Sequence, residues 1–135
     1  MAIFVVRHGE TELNAARIIQ MPTTPLSERG REEARVRSQQ LAGHDTPPAL
    51  VLTSPLLRGR QTAEQIAQAT GAELVVDERL APGATAETLL KTLEGREGPV
   101  AVVGHQPDCS EIAFELTGED PGFPTGGVAE IELED

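Results

Sequence analysis

The sequence predicts an α/β fold, a three-layer sandwich with a mainly parallel, mixed sheet of about five strands flanked by helices. Three observations carry that expectation. Short runs rich in Val, Ile and Leu alternate with segments of helical period, Gly and hydroxyl residues punctuate the helix ends, and one run, Val100 to Val103, is apolar throughout. A strand apolar on both faces is one covered by helices on both sides, so that run belongs at the centre of the sheet.

The first strand-like run is Ala2 to Val6. Ser27 is placed as the N-cap of a helix over Glu28 to Leu41, and Gly43 as its stop. Leu50 to Thr53 reads as the second strand, followed by a helix over Arg58 to Ala69 that ends at Gly71. Glu73 to Val76 is the third strand, and Thr85 caps a helix over Ala86 to Leu93 stopped by Gly95. After the Val100 to Val103 strand, a fourth helix starts just after Pro107, runs through Ile112, Ala113 and Leu116, and stops at Gly118. In the last run, Val128 to Leu133, Ile131 and Leu133 alternate with Glu130, Glu132 and Glu134, the pattern of a charged edge strand.

A length of 135 residues, without repeats, low-complexity tracts or long linkers, predicts one domain over 1–135. Lys and Arg number 11 against 22 Asp and Glu, a net charge of −11, so no basic face is available for a nucleic-acid backbone. The single cysteine, Cys109, closes no internal disulfide, and no Cys/His set has metal-site spacing. Ala2 to Val6 is too short for a signal-peptide core or a membrane span, and a cytoplasmic protein without membrane attachment is expected. Aromatic residues make up 2% of the chain, leaving recognition to charge and hydrogen bonding rather than to stacking.

Ligands of open α/β sheets bind beyond the carboxyl ends of the strands, so the residues there are the candidates for chemistry. Arg7-His8-Gly9-Glu10-Thr11 follows the first strand, Ser54-Pro55-Leu56-Leu57-Arg58 the second, and Gly104-His105-Gln106-Pro107 the fourth. Two guanidinium groups and two imidazoles gathered in a chain of net charge −11 make an anion site. An unprotonated imidazole nitrogen, on one or other of the two histidines, can attack phosphorus and form a covalent phosphohistidine. Its second ring nitrogen must then keep its proton and donate it to a fixed acceptor, for which a backbone carbonyl near Gly9 is the candidate.

The Arg7-His8-Gly9-Glu10-Thr11 run, Asn14, Pro25-Leu26-Ser27-Glu28-Arg29-Gly30, Ser54-Pro55-Leu56-Leu57-Arg58 with Gln61-Thr62-Ala63, and Gly104-His105 together resemble the histidine phosphatase (phosphoglycerate mutase-like) superfamily. The resemblance implies a phosphatase of the mixed-sheet family fold, needing no metal or cofactor. It implies His8 as the phosphorylated nucleophile, Arg7 and Arg58 as grips on the phosphoryl oxygens, and His105 as the group completing the pocket. Asn14 matches a position that in relatives touches the phosphoryl group or the substrate. Larger relatives place a carboxylate proton donor after the third strand, where Glu78 is the nearest candidate, but the rest of their pattern is missing. Arg79-Leu80-Ala81-Pro82-Gly83 looks more like the small SixA-type phosphohistidine phosphatases.

An imidazole leaving group needs less help than an alkoxide, for which losing a general acid costs roughly 10²- to 10⁴-fold. Between Arg79 and Pro99 there is room for one short helix, so no large lid is expected and the pocket should be open. An open site suits a phosphorylated protein better than a small phosphorylated metabolite, which is the alternative substrate. A phosphate-docking module without turnover is the alternative of another class.

Other residues weigh differently. Gln106, just before a helix N-terminus, is a candidate phosphate ligand. Strand alternation sends Arg7 and His8 to opposite faces, so both line one pocket only if the strand ends by Val6. Arg60 reads as a solvated charge, Glu10 as a local partner for an Arg, His44 as a surface loop residue without partners, and Cys109 as a small core residue. The acidic tail Glu130 to Asp135 reads as a solvated edge.

Overall fold

The structure, a computed structural model, describes residues 1–16 and 20–134; Asp135 of the acidic tail lies outside them. Strands β1 (Ala2–Arg7), β2 (Leu50–Thr53), β3 (Glu73–Val76), β4 (Val100–Gly104) and β5 (Val128–Glu132) form one sheet in the order β3-β2-β4-β1-β5. All neighbours are parallel except β5, which runs antiparallel to β1 at the edge. The all-apolar β4 is central and buried along Val100 to Val103, while β5 turns only Ile131 fully inward.

Helices cover both faces. Side-chain alternation along β1 sends Phe4 and Val6 to one face, where they meet Val51, Val103, Leu41, Ala63 and Ile66. That layer holds α2 (Glu28–Ala42) and α3 (Leu57–Thr70). Ile3 and Val5 face the other way, against Leu52, Val102, Leu89, Cys109 and Ile112. Helices α4 (Ala86–Thr92) and α5 (Asp108–Thr117) form that layer.

The capping chemistry is that anticipated. Ser27 Oγ accepts the Gly30 amide at 3.0 Å and Thr85 Oγ1 that of Thr88 at 3.2 Å. Gly71 and Gly118 end α3 and α5 in the left-handed conformation, at φ 74° and 81°. Two short elements go beyond the sequence reading: α1 (Glu12–Ala16) and a 3-10 turn at Glu78–Leu80. Neither is long enough to leave a periodic apolar pattern. Among the described residues no helix is long and apolar enough to cross a membrane.

Two expectations need correction. β1 continues through Arg7, whose Cα pairs with Gly104, rather than ending at Val6. The paired ladder persists because β4 itself runs on to Gly104 and because the Arg7 amide donates to Gly127 O at 2.9 Å on the other side. His44 does have partners: Nε2 lies 3.0 Å from Glu130 Oε1, and its ring meets Phe4 edge-on with centroids 5.0 Å apart. Glu130 reaches it from β5, more than eighty residues away in sequence, a proximity that no local pattern announces.

The loop after β1 is locked to the start of α2 by backbone against backbone. A Cβ on Gly30 would stand 1.9 Å from Glu10 O, and one on Gly9 would stand 2.4 Å from Gly30 O. Neither neighbour is a flexible side chain that can swing away. Gly30→Ala is therefore expected to cost about 3 kcal/mol or more, the upper end for overpacking, whereas Gly43→Ala, whose Cβ meets nothing closer than 3.5 Å, should be nearly neutral. Urea unfolding midpoints of the two variants check this.

Candidate active site

The carboxyl ends of β1, β2 and β4 are adjacent in the sheet, so the residues following them meet at one edge. The His8 amide still donates to Gly104 O at 3.1 Å, and the His105 ring lies with its centroid 5.1 Å from that of His8. Both histidines are 3% exposed and Arg58 is 6% exposed. Arg7 is the last residue of β1 and His8 the first beyond it, at the carboxyl end of the strand. Both remain close enough for the charge of Arg7, with that of Arg58, to act on the His8 ring.

His8 Nδ1 lies 2.6 Å from Gly9 O. A carbonyl can only accept, so Nδ1 carries the proton and Nε2 keeps its lone pair. The acceptor expected near Gly9 is Gly9 itself. Burial, outweighing the support of that hydrogen bond and joined by repulsion from Arg58 and Arg7, lowers the His8 pKa to about 4. The ring is a neutral base at ordinary pH.

A side-chain clamp sets Arg58 relative to His8. Thr62 Oγ1 donates to Arg58 O at 2.9 Å, one turn back along α3, and accepts the Gly9 amide at 3.1 Å. Arg58 Nη1 donates to Met21 O at 3.1 Å, and Arg7 Nη1 to Phe123 O at 2.9 Å. Burial lowers the pKa of both guanidinium groups without threatening their charge. The buried Nε atoms of Arg7 and Arg58 and the buried Nδ1 of His105 have no partner within the described residues.

Ser54 is the residue that sequence reasoning passed over. Its Oγ, fully buried, lies 2.6 Å from His105 Nε2. Its signal was its place at the end of β2, heading the Ser54-Pro55-Leu56-Leu57-Arg58 run from which only Arg58 was given a role. Burial, then the proximity of His8 and Arg58, lowers the His105 pKa to about 3. Asp108 was also missed: buried in the first turn of α5, its Oδ2 accepts the amides of Gly83 and Ala84 at 2.8 and 3.2 Å, fastening the segment before α4 beside His105.

The remaining candidates are placed differently. Asn14 Oδ1 accepts the Thr11 amide at 3.1 Å and so closes the turn that starts α1. The Gln106 amide is engaged with Ser110, accepting its backbone N–H at 2.9 Å and donating to its Oγ at 2.8 Å, a cap for α5. Glu78 is exposed on the 3-10 turn and bonds to none of the four central residues. Glu10 stands 3.9 Å from Arg29, the local partner expected of it, and Arg60 is exposed. Cys109 is buried, with its pKa raised to about 12 chiefly by burial, as befits a core thiol. Among the described residues no three His, Cys, Asp or Glu side chains are grouped to hold a metal.

The family model for the histidine phosphatase superfamily (branch 1) matches residues 3–96, which include Arg7, His8 and Arg58. The chain belongs to the histidine phosphatase superfamily. Phosphohistidine phosphatase SixA of Escherichia coli strain K12 is 30% identical over 145 residues, covering 100% of this chain and 87% of that one. A solved structure of the protein histidine phosphatase SixA complexed with tungstate superposes with a TM-score of 0.85 at 30% identity, covering 99% and 89% of the two chains. A Serratia proteamaculans protein named "Probable phosphoglycerate mutase GpmB" is 40% identical over 101 residues, 72% of this chain but 46% of its own length. The histidine phosphatase chain thus spans less than half the length of such relatives, 46% and 37% for two of them.

The depressed imidazole pKa values have a sign that can be measured. Unfolded histidines take up protons below about 6.5, whereas folded His8 and His105 do so only near 4 and 3. The stability they contribute is fully present above that range and is lost as pH falls from 6.5 through 4, by as much as about 3 kcal/mol for His8 alone. Denaturant unfolding between pH 7 and 4 should show this decline, and His8→Asn should flatten it.

Proposed function

We propose that this histidine phosphatase is a metal-independent phosphatase that works through a phosphohistidine on His8, and that its substrate is phosphohistidine in a protein. The neutral His8, with its proton held on Nδ1 by Gly9 O, is the observation that carries the first half. Nε2 attacks phosphorus in line, a P–N bond forms to His8, the substrate's own P–N bond breaks, and its imidazole departs neutral, keeping the proton already carried by its other ring nitrogen while phospho-His8 keeps the proton on Nδ1. Water then attacks the phosphorus of phospho-His8 and inorganic phosphate leaves, returning the electron pair to Nε2.

Arg7, Arg58 and His105 are assigned to the phosphoryl oxygens. Their buried nitrogens without protein partners, gathered beside His8, support charge-assisted bonds to a dianion. In the same reading, Ser54 Oγ donates to His105 Nε2, which places the ring proton on Nδ1 as a further donor. Asn14 and Gln106 stay candidates for substrate binding; in the ligand-free protein Asn14 Oδ1 and the Gln106 side-chain amide close turns, leaving, among the described residues, the Asn14 Nδ2 and the Gln106 backbone N–H for a ligand.

The choice of leaving group rests on the missing acid. Glu78 is exposed, and no carboxylate is hydrogen-bonded to His8 or His105 among the described residues. Between the 3-10 turn and β4 stands one short helix, α4, instead of a lid. Both features suit a departing imidazole displayed on a protein surface. The higher identity to GpmB-type chains favours the second reading, a phosphomonoesterase for small phosphorylated metabolites. A sugar phosphate turned over with higher kcat/KM than a phosphohistidine protein would establish that reading in place of the first.

Phosphate release from an aryl phosphate should persist in EDTA, and denaturant quenching should trap an acid-labile, base-stable protein phosphate. His8→Ala should abolish both, and tungstate should compete with substrate. Binding of phosphate without turnover or trapping would identify a docking module instead. Ser54→Ala should lower kcat by roughly 10-fold, the cost of a lost buried hydrogen bond, and shift the ¹⁵N resonances of His105 away from the single Nδ1–H tautomer.

A further inference from the structure

We infer that the groove between α4 and α5 is a docking track for a protein segment that carries cationic side chains around an apolar one, the segment belonging to the phosphoprotein whose phosphoryl group enters the His8–His105 site. This rests on the phosphatase reading and names the chemistry of its partner. The groove has a volume of about 600 Å³, and Glu87, Ser110, Glu111, Phe114, Glu115 and Asp120 contribute to its lining.

Phe114 is the apolar feature. The chain has 3 Phe and neither Trp nor Tyr; Phe4 and Phe123 are buried, but Phe114 is 59% exposed. It lies on the outward face of α5, away from Cys109, Ile112 and Ala113, which face the core. It is therefore not the frayed rim of the core cluster but a separate apolar contact.

Around it the charge is of one sign. Glu111 and Glu115 stand four residues apart on α5, where like charges repel, and Asp120 faces the same groove. Of the four lining carboxylates only Glu87 has a cation, Lys91 at 3.4 Å, and no Lys or Arg contributes to the lining among the described residues. A partner segment bearing Lys or Arg relieves that repulsion and is steered in by it. A second copy of this chain would instead bring the same carboxylates to a two-fold interface, in a molecule of net charge −11. Nucleic acid and anionic lipid are repelled for the same reason.

The groove begins one residue contact away from the site. Gln106, next to His105, donates from Nε2 to Ser110 Oγ, and Ser110 lines the groove. Asp108 Oδ2, bonded to the Gly83 and Ala84 amides, holds the start of α4 alongside. From Asp108 to Phe114 is about 9 Å along α5, the span of roughly three extended residues. The apolar side chain of the partner therefore lies a few residues from the phosphorylated one, and three is the spacing chosen for the test.

The test uses short synthetic peptides with one phosphohistidine and a Leu three positions away, flanked either by Lys or by Glu, and p-nitrophenyl phosphate as a probe too small to reach the groove. The Lys peptide should be preferred in kcat/KM by about 10-fold or more, through KM. Phe114→Ala and the Glu111→Gln, Glu115→Gln pair should each remove most of that preference and leave p-nitrophenyl phosphate turnover unchanged. Glu64→Gln, a distant loss of charge on exposed α3 surface, should leave the preference intact.

Equal turnover of the two peptides, a preference surviving the groove variants, or an equal loss in Glu64→Gln would overturn the docking track while the phosphatase reading stood. If neither p-nitrophenyl phosphate nor peptide is turned over, the phosphatase reading fails. Anisotropy of the labelled, unphosphorylated Lys peptide then decides the groove alone: binding that depends on Phe114 supports it, and none overturns it.

Discussion

Two imidazoles buried 5.1 Å apart beside two guanidinium groups are the constraint around which this molecule is arranged. Desolvation and neighbouring positive charge both oppose protonation, so the rings stay neutral while the arginines, with far higher intrinsic basicity, keep their charge. The result is a positive pocket in an acidic molecule, with an imidazole nitrogen free to act as a nucleophile. Protein hydrogen bonds satisfy the groups that must not move and leave the Nε atoms of Arg7 and Arg58 unpaired.

Holding such a pocket open against its own repulsion requires stiffness, and the backbone supplies it. The loop after β1 cannot recede, because Gly9 and Gly30 are in backbone contact and the Ser27 amide donates to Glu10 O at 2.9 Å. Nor can α3 slide, because Thr62 bonds both to Gly9 and to its own helix. These contacts explain why the Pro25 to Gly30 segment accompanies the reactive residues in the sequence although none of its side chains bonds to His8, Arg58 or His105. Gly30 admits the backbone of Glu10, and Ser27 caps α2 while touching Glu10 O with its hydroxyl at 3.1 Å.

Much of this was legible in the chain. Strands with runs of Val, Ile and Leu, and helices bounded by Ser27, Thr85, Gly71 and Gly118, are local signals, and the elements formed where those signals lay. The site could be read because sheets of this kind gather ligands at strand ends and because Arg7, His8, Arg58 and His105 each sit there. The contacts that were not legible depend on side-chain direction or on distant partners. Ser54 against His105, His44 against Glu130, and Asp108 against the Gly83 and Ala84 amides join residues twenty or more positions apart. Gln106 shows the same limit: a helix N-terminus attracts an anion and a capping amide alike, and in the ligand-free protein its side chain caps the Ser110 amide, which its place in the sequence did not announce.

The low His105 pKa bears on what this residue can do in the proposed reaction. A neutral imidazole is a very weak acid, so in the ligand-free protein His105 is poorly placed to give a proton to an alkoxide. A phosphoryl dianion placed between the two rings reverses the Coulomb term that Arg58 and His8 impose and raises the pKa of both imidazoles. In the proposed reaction, substrate charge thereby restores part of the basicity that burial removed. An imidazole leaving group requires only that modest help, and a sugar alkoxide requires more. In the proposed reaction, the electrostatics that keep both rings neutral in the free protein fit a P–N bond better than a P–O bond as the one to be broken.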